Sequence, residues 1–235
     1  VKGINFTGLR DAGDPVELGR FYSNAGADEL VFLDITASHE NRNIVLEMVH
    51  QVATQLFIPF SVGGGIRQVE DFERMLTAGA DKVCVNTAAV AMPTLIDEAA
   101  KAFGSQCVVV AIDVTAGGDD WIVLTHGGRK RSHRRLRDWL AEVADRGAGE
   151  ILLTSFDRDG TKSGYDLSLL KVACDMVTIP IIASGGVGSI EHFVELFSQS
   201  DTDAALAASV FHYGELTIRE VKQRLAKAGI AVRLT

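Results

Sequence analysis

Three blocks of this chain recur in the same order at nearly one spacing, and that repeat restricts the fold more than any other feature. GADELVFLDIT at 26–36 answers to GAGEILLTSFD at 147–157, and IPFSVGGGI at 58–66 to IPIIASGGV at 179–187, both at an offset of 121 residues. GADKVCVNTAAV at 79–90 aligns with TDAALAASVF at 202–211 at an offset near 122. Each block holds a short, continuously apolar run bounded by Gly, Asp, Asn or Ser, the pattern of a parallel strand covered on both faces. Strands are expected at 29–36, 59–63, 82–86, 107–113, 150–155, 180–184 and 204–209. Helical stretches lie between them, among them 15–26, 93–103, 134–147 and 217–229.

A duplicated unit of four strands and four helices closes as a (β/α)8 TIM barrel, an α/β fold. No Ser/Pro linker divides the chain, so residues 1–235 are expected to form one barrel domain with half-barrel repeats at about 1–106 and 107–235. The strand at 107–113 belongs to the second half, and its counterpart 121 residues earlier would fall ahead of Val1. The first β-strand is therefore expected to be absent from this sequence. The length of 235 residues agrees, against about 250 for the fold.

Composition removes several classes of function. With 47% hydrophobic residues, 23 Gly and 4 Pro, the chain is neither disordered nor collagen-like. Lys and Arg number 23 against 31 Asp and Glu, a net charge of −8, which argues against nucleic-acid binding and against an anionic membrane surface. No apolar run reaches the ~18 residues of a membrane span, and no signal peptide opens the chain; a cytoplasmic protein is expected. Cys84, Cys107 and Cys174 are odd in number and read as reduced core residues. The six histidines lack ligand spacing, so neither a metal nor another cofactor is expected.

The chemistry of a barrel sits on the loops at the C-terminal ends of its strands. Gly63-Gly64-Gly65 and Asn86-Thr87 stand there in the first half; Ser184-Gly185-Gly186 and Ala208-Ser209 take the equivalent places in the second. Glycines let backbone N–H groups approach an oxyanion, and a following helix N-terminus adds its dipole. Two such loop pairs predict two phosphate sites and a substrate phosphorylated at both ends. The turn Asp157-Arg158-Asp159-Gly160-Thr161 adds to the second. Asp113 closes CVVVAID at the rim, where burial would raise its pKa into general acid/base range. Asp34 is the next candidate, or a loop-ordering carboxylate, followed by Thr154 and Ser155. The basic run 129–137 could steer substrate, but is read as a solvated loop and helix face. His212 is read as structural.

LVFLDITAS, PFSVGGGI, DKVCVNTAAV, VVVAID, GAGEILLTSFDRDGTKSGYD, PIIASGGVG and ALAASVFH together resemble the cyclase subunit of imidazole glycerol phosphate synthase, of histidine biosynthesis. The similarity covers essentially the whole chain. It implies a bisphosphate substrate, a phosphoribulosyl-formimino-aminoimidazole carboxamide ribonucleotide. Ammonia converts this into imidazole glycerol phosphate and aminoimidazole carboxamide ribonucleotide. The family uses two aspartates as general acid and base; one matches Asp113, and the other belongs to the absent strand. Gly65, Asn86 and Thr87 match one phosphate site, and Asp159, Gly160, Gly186 and Ser209 the other. Lys2 corresponds to a substrate-holding lysine of the first loop. The resemblance also implies a glutaminase subunit docked at the N-terminal face, with Glu29, Lys82 and Glu150 in a charged ammonia gate. Read from the residues alone, these three are polar caps on a barrel floor. The sequence departs from the pattern at Ser132-His133, where relatives often carry Thr-Gly. The competing readings are the sister bisphosphate isomerase of the same pathway, and a catalytically incomplete fragment or engineered scaffold.

Overall fold

A computed structural model describes residues 13–33 and 42–234. They fall into two compact units, one made of Gly13–Val110 with Arg146–Gly149, the other running from Ala111 to Asp145 and from Glu150 onward.

The first unit opens with helix α1 (Pro15–Asn24), started by Asp14, whose Oδ1 accepts from Val16 N and Glu17 N, with proline in the first turn. There follow β1 (Leu30–Leu33), α2 (Arg42–Ala53), β2 (Phe60–Gly63), α3 (Val69–Thr77), β3 (Lys82–Val85), the short α4 (Thr87–Ala91), α5 (Thr94–Phe103), a 3-10 turn at Ser105–Cys107 and the first residues of β4 (Val108–Ala116). The strands pair in parallel in the order β1-β2-β3-β4. Register fixes the faces, because side chains alternate along a strand. Phe32, Phe60, Val62, Val83 and Val85 share one side, where Phe32 and Phe60 meet edge to face. Val31, Ser61 and Lys82, then Leu33, Gly63 and Cys84, share the other.

The second unit carries the rest of β4, the hairpin β5 (Trp121–Thr125) and β6 (Lys130–Arg135), α6 (Leu136–Asp145), β7 (Glu150–Ser155), α7 (Leu167–Met176), β8 (Ile181–Ser184), α8 (Ile190–Gln199), β9 (Ala204–Leu206), α9 (Ser209–His212) and α10 (Ile218–Lys227). β7, β8 and β9 pair in parallel, and the hairpin joins antiparallel to the end of β4. Trp139, Leu136 and Leu140 of α6 and Ile151, Leu152 and Leu153 of β7 are fully buried.

The sequence repeat is a repeat of geometry inside each unit. Leu33 pairs with Gly63, and Gly63 with Cys84; Thr154 pairs with Ser184, and Ser184 with Leu206, at the same offsets. Phe60 N donates to Asp81 Oδ2 at 2.8 Å, and Ile181 N to Asp203 Oδ2 at 2.9 Å. Asn86 and Ala208, each ahead of a short helix, have φ/ψ of −125°/−81° and −124°/−72°.

Several expectations need correction. The strand expected to end at Asp113 continues to Ala116, because β5 pairs with Asp113–Ala116 and prolongs it. The strand expected over 204–209 stops at Leu206, and Ser209 begins α9. Most of the basic run is a strand, not a loop: His126, Gly127 and Gly128, all at positive φ, turn the chain so that Lys130–Arg135 pairs with β5, while Leu136 and Arg137 open α6 as the expected helix. All three cysteines are free thiols, but only Cys84 is buried; Cys107 and Cys174 are half-buried.

Candidate functional site

In the first unit the loop leaving β2 is shaped by three glycines. A Cβ on Gly63 would meet Cys84 Cβ at 2.7 Å and Leu33 Cδ2 at 2.9 Å, so strand packing demands a residue without a side chain. Gly64 and Gly65 then turn at φ 108° and 69° and deliver the chain to α3. Asp71 closes that helix start by accepting from Arg67 N (2.9 Å) and Gln68 N (3.3 Å). Asn86 and Thr87 follow β3, the neighbour of β2, so these two loops leave adjacent strand ends. Gly65 is exposed, Asn86 and Thr87 half-buried.

The second unit repeats the device with more polar side chains. Gly185 and Gly186 sit at φ 93° and 100°. A Cβ on Gly185 would meet Ser155 O at 2.7 Å, and one on Gly186 would run into Gly164 O, whose own N–H donates to Gly186 O at 2.8 Å. Asp159 lies against Gly185 and is held by its N–H on Ser155 O (3.0 Å); Gly160 continues that turn at φ 74°. Gly188 N donates to His192 Nδ1 at 3.1 Å, the place Asp71 takes at α3. Thr154, buried, and Ser184, half-buried, lie side by side in register on one face. Ser209 opens α9, following β9, which borders β8. Tyr165 is buried with its hydroxyl donating to Leu206 O (3.2 Å), and burial pushes its pKa far up, so it stays a donor at every working pH.

Asp113 is half-buried on β4, alternating with Ile112 and Val114, both 0% exposed, which face the other way. Beside it the structure reveals a contact the sequence reading passed over. Asp157 accepts from Thr115 Oγ1 at 2.6 Å and from Ala116 N at 2.7 Å, tying the loop after β7 to the end of β4. Asp166 is a second such residue: it accepts from Ser155 Oγ (3.2 Å) and Ser168 Oγ (2.6 Å) and caps α7 at Leu169 N (3.1 Å). Both stand in DRDGTKSGYD, a run dense enough in Asp and Gly to flag a self-bonded loop.

The family model described as histidine biosynthesis protein matches residues 1–217. The chain belongs to the histidine biosynthesis protein family.

Relatives in this family are similar over the whole chain. "Imidazole glycerol phosphate synthase subunit HisF" of Gluconacetobacter diazotrophicus is 59% identical over 100% of this chain and 91% of its own. The proteins of that name from Streptococcus gordonii and Streptococcus sanguinis are each 57% identical over 100% of this chain and 93% of theirs. The fold class is the α/β TIM barrel of the family.

The opposite ends of the strands carry the remaining candidates of this histidine biosynthesis protein. Lys82 Nζ lies 2.9 Å from Glu29 Oε2, and Ser61, 1% exposed, donates its hydroxyl to the same carboxylate. The pair is mostly shielded, with side chains 16% and 24% exposed. Glu150 opens β7 in the other unit, half-buried. Lys2 and Asp34 lie outside the described residues. Among the described residues no helix is long and apolar enough to cross a membrane.

Proposed function

We propose that this chain is the cyclase subunit of imidazole glycerol phosphate synthase, an enzyme of histidine biosynthesis. The observation that carries the reading is 57–59% identity, over the entire chain, with proteins of that name. The resemblance to that family supplies the finer reading, and the two loop sites are in keeping with a bisphosphate. Ammonia, released by a glutaminase subunit at the N-terminal ends of the strands, attacks a phosphoribulosyl-formimino-aminoimidazole carboxamide ribonucleotide. Cyclisation and cleavage yield imidazole glycerol phosphate and aminoimidazole carboxamide ribonucleotide.

One phosphate rests on the loops at Gly65 and Asn86-Thr87, the other on Asp159-Gly160, Gly186 and Ser209. Positive-φ glycines at both places support this, since they turn backbone donors outward without a Cβ in the way. Thr154 and Ser184 offer hydroxyls to the ligand between, with Lys2 assigned to substrate by resemblance and Asp34 by its place at a strand end. Asp113 works as one general acid/base, and the family's second aspartate belongs to the first strand. Glu29, Lys82 and Glu150 form the ammonia gate; a lysine held by Glu29 is a cation that a docked subunit can release. The reaction takes place in the cytoplasm.

The test is Asp113→Asn in the full chain. Ammonia-dependent turnover should fall by about 10²–10⁴-fold while bisphosphate affinity, read by calorimetry, stays within a few-fold. Undiminished turnover would remove Asp113 from the chemistry.

A further inference from the structure

The hairpin carries a row of basic side chains that the fold leaves without acidic partners among the described residues. Across three strands Asp113 pairs with Leu124, and Leu124 with Arg131; Thr115 pairs with Ile122, and Ile122 with Arg135. Paired residues share a face, so Arg131 and Arg135 stand on the side that carries Asp113 and Thr115; the register shifts between these pairs, and His133 lies in that irregular stretch. The exposure pattern along β6 agrees: Arg131, His133 and Arg135 are exposed, Ser132 and Arg134 half-buried. Arg134, on the other face, is neutralised by Glu142 and lies over the Trp139 ring at 4.3 Å. Arg135 Nη1 reaches only a carbonyl, Gly117 O, at 2.6 Å. Arg131 and His133 have no hydrogen-bond or ion-pair partner among the described residues.

In a chain of net charge −8, Arg134 on the other face is matched by Glu142, whereas Arg131 and Arg135 stand exposed with no acidic partner among the described residues. Acidic groups do border the row: Asp113 on β4, Asp157 at its end, and Asp119 and Asp120 in the turn before β5. Among the described residues none forms an ion pair with Arg131, and Asp157 is occupied by Thr115 and Ala116. Two interstrand spacings separate Arg131 from Asp113, roughly 10 Å between backbones. That is the distance at which a long cationic side chain meets a phosphate whose carbon skeleton lies at the aspartate.

We propose that the Arg131–His133–Arg135 row of β6 is a capture surface for a phosphate group of the incoming bisphosphate, held there before it settles on the glycine loops. The proposal rests on the cyclase reading for the identity of the ligand. It accounts for the cations by attraction during encounter, which ionic strength screens.

The experiment compares Arg131→Gln and Arg131→Glu with the wild-type full chain, with Arg219→Gln, an exposed cation of α10, as control. At low salt kcat/KM should fall about three-fold for the glutamine and about ten-fold for the glutamate, through KM, with kcat held within two-fold. Near 1 M salt, where the screening length is about 3 Å, the differences should vanish, and Arg219→Gln should match wild type throughout. Inorganic pyrophosphate, as a minimal doubly charged probe, should bind the variants more weakly in the same graded order by calorimetry at low salt. Unchanged KM and pyrophosphate affinity in Arg131→Glu would overturn the proposal, as would a loss confined to kcat. A wild-type chain that turns over no bisphosphate would defeat the cyclase reading instead, while the pyrophosphate series would still decide whether the row captures phosphate.

Discussion

The β1-β2-β3 segment and the β7-β8-β9 segment share a backbone and differ in what they place on it. Both use an aspartate at the start of the third strand to hold the first N–H of the second, through Asp81 and Asp203. Both turn into a helix through two positive-φ glycines. Yet on the equivalent face the first segment is polar at its beginning, with Glu29, Ser61 and Lys82, and small or apolar at its end, with Leu33, Gly63 and Cys84. The second keeps Glu150 at the start but follows it with Ile182 and Ala204, and gathers Thr154 and Ser184 at its end. Backbone turns and aspartate bonds to main-chain N–H groups preserve the scaffold, while single side chains on one face divide the chemistry between its two ends.

The glycine turns offer the hardest test of that equivalence. Gly186→Ala would press a Cβ on Gly164 O at φ 100°, and should cost at least about 3 kcal/mol of stability in urea unfolding. Gly65→Ala, exposed and at φ 69°, should cost only about 1 kcal/mol, since the left-handed region alone opposes it. Equal losses would mean the two turns are packed alike after all. Next in size, Asp81→Ala and Asp203→Ala should each lose about 1–2 kcal/mol, matching within experimental error in the same assay; a clear inequality would break the structural repeat where it looks strongest. The smallest effect belongs to His212, which ends α9 and has no equivalent histidine in α4. Burial lowers its pKa, so the unfolded chain binds the proton more readily. Its contribution to stability is therefore complete above about pH 6.5 and is lost as the pH falls below that value. His212→Gln should flatten the acid limb of a stability–pH curve by a small amount, and an unaltered limb would count against the assignment.

The repeat was legible because parallel strands buried on both faces leave continuous apolar runs, and these marked all of the core strands of the described chain. What periodicity misses is a tertiary partner. Asp113 looks like a strand end because the apolar run stops there, but β5 supplies hydrogen bonds for three further residues. The run Lys130–Arg135 reads as solvated because its charges hide an alternation that only the pairing reveals. Of the site, the glycine loops were visible as composition, and the Thr154–Ser184 pairing follows from the offset. The roles of Asp157 and Asp166 as ties were not visible because their partners, Thr115 and Ser155, come from other segments or from the far face of a strand.

Gly63 gives the two segments a direction of exchange. Its place between Leu33 and Cys84 has no room for one more carbon, while the matching position holds Ser184 beside Thr154 and Leu206. A chimera that moved β8 into the place of β2 would bring a hydroxymethyl group into that closed gap and have to reshape both neighbours. The reverse transplant would leave only a small void. If the chain arose by duplication, substitutions could accumulate at one copy of this position and not at the other, and recombination between the copies would succeed in one sense only.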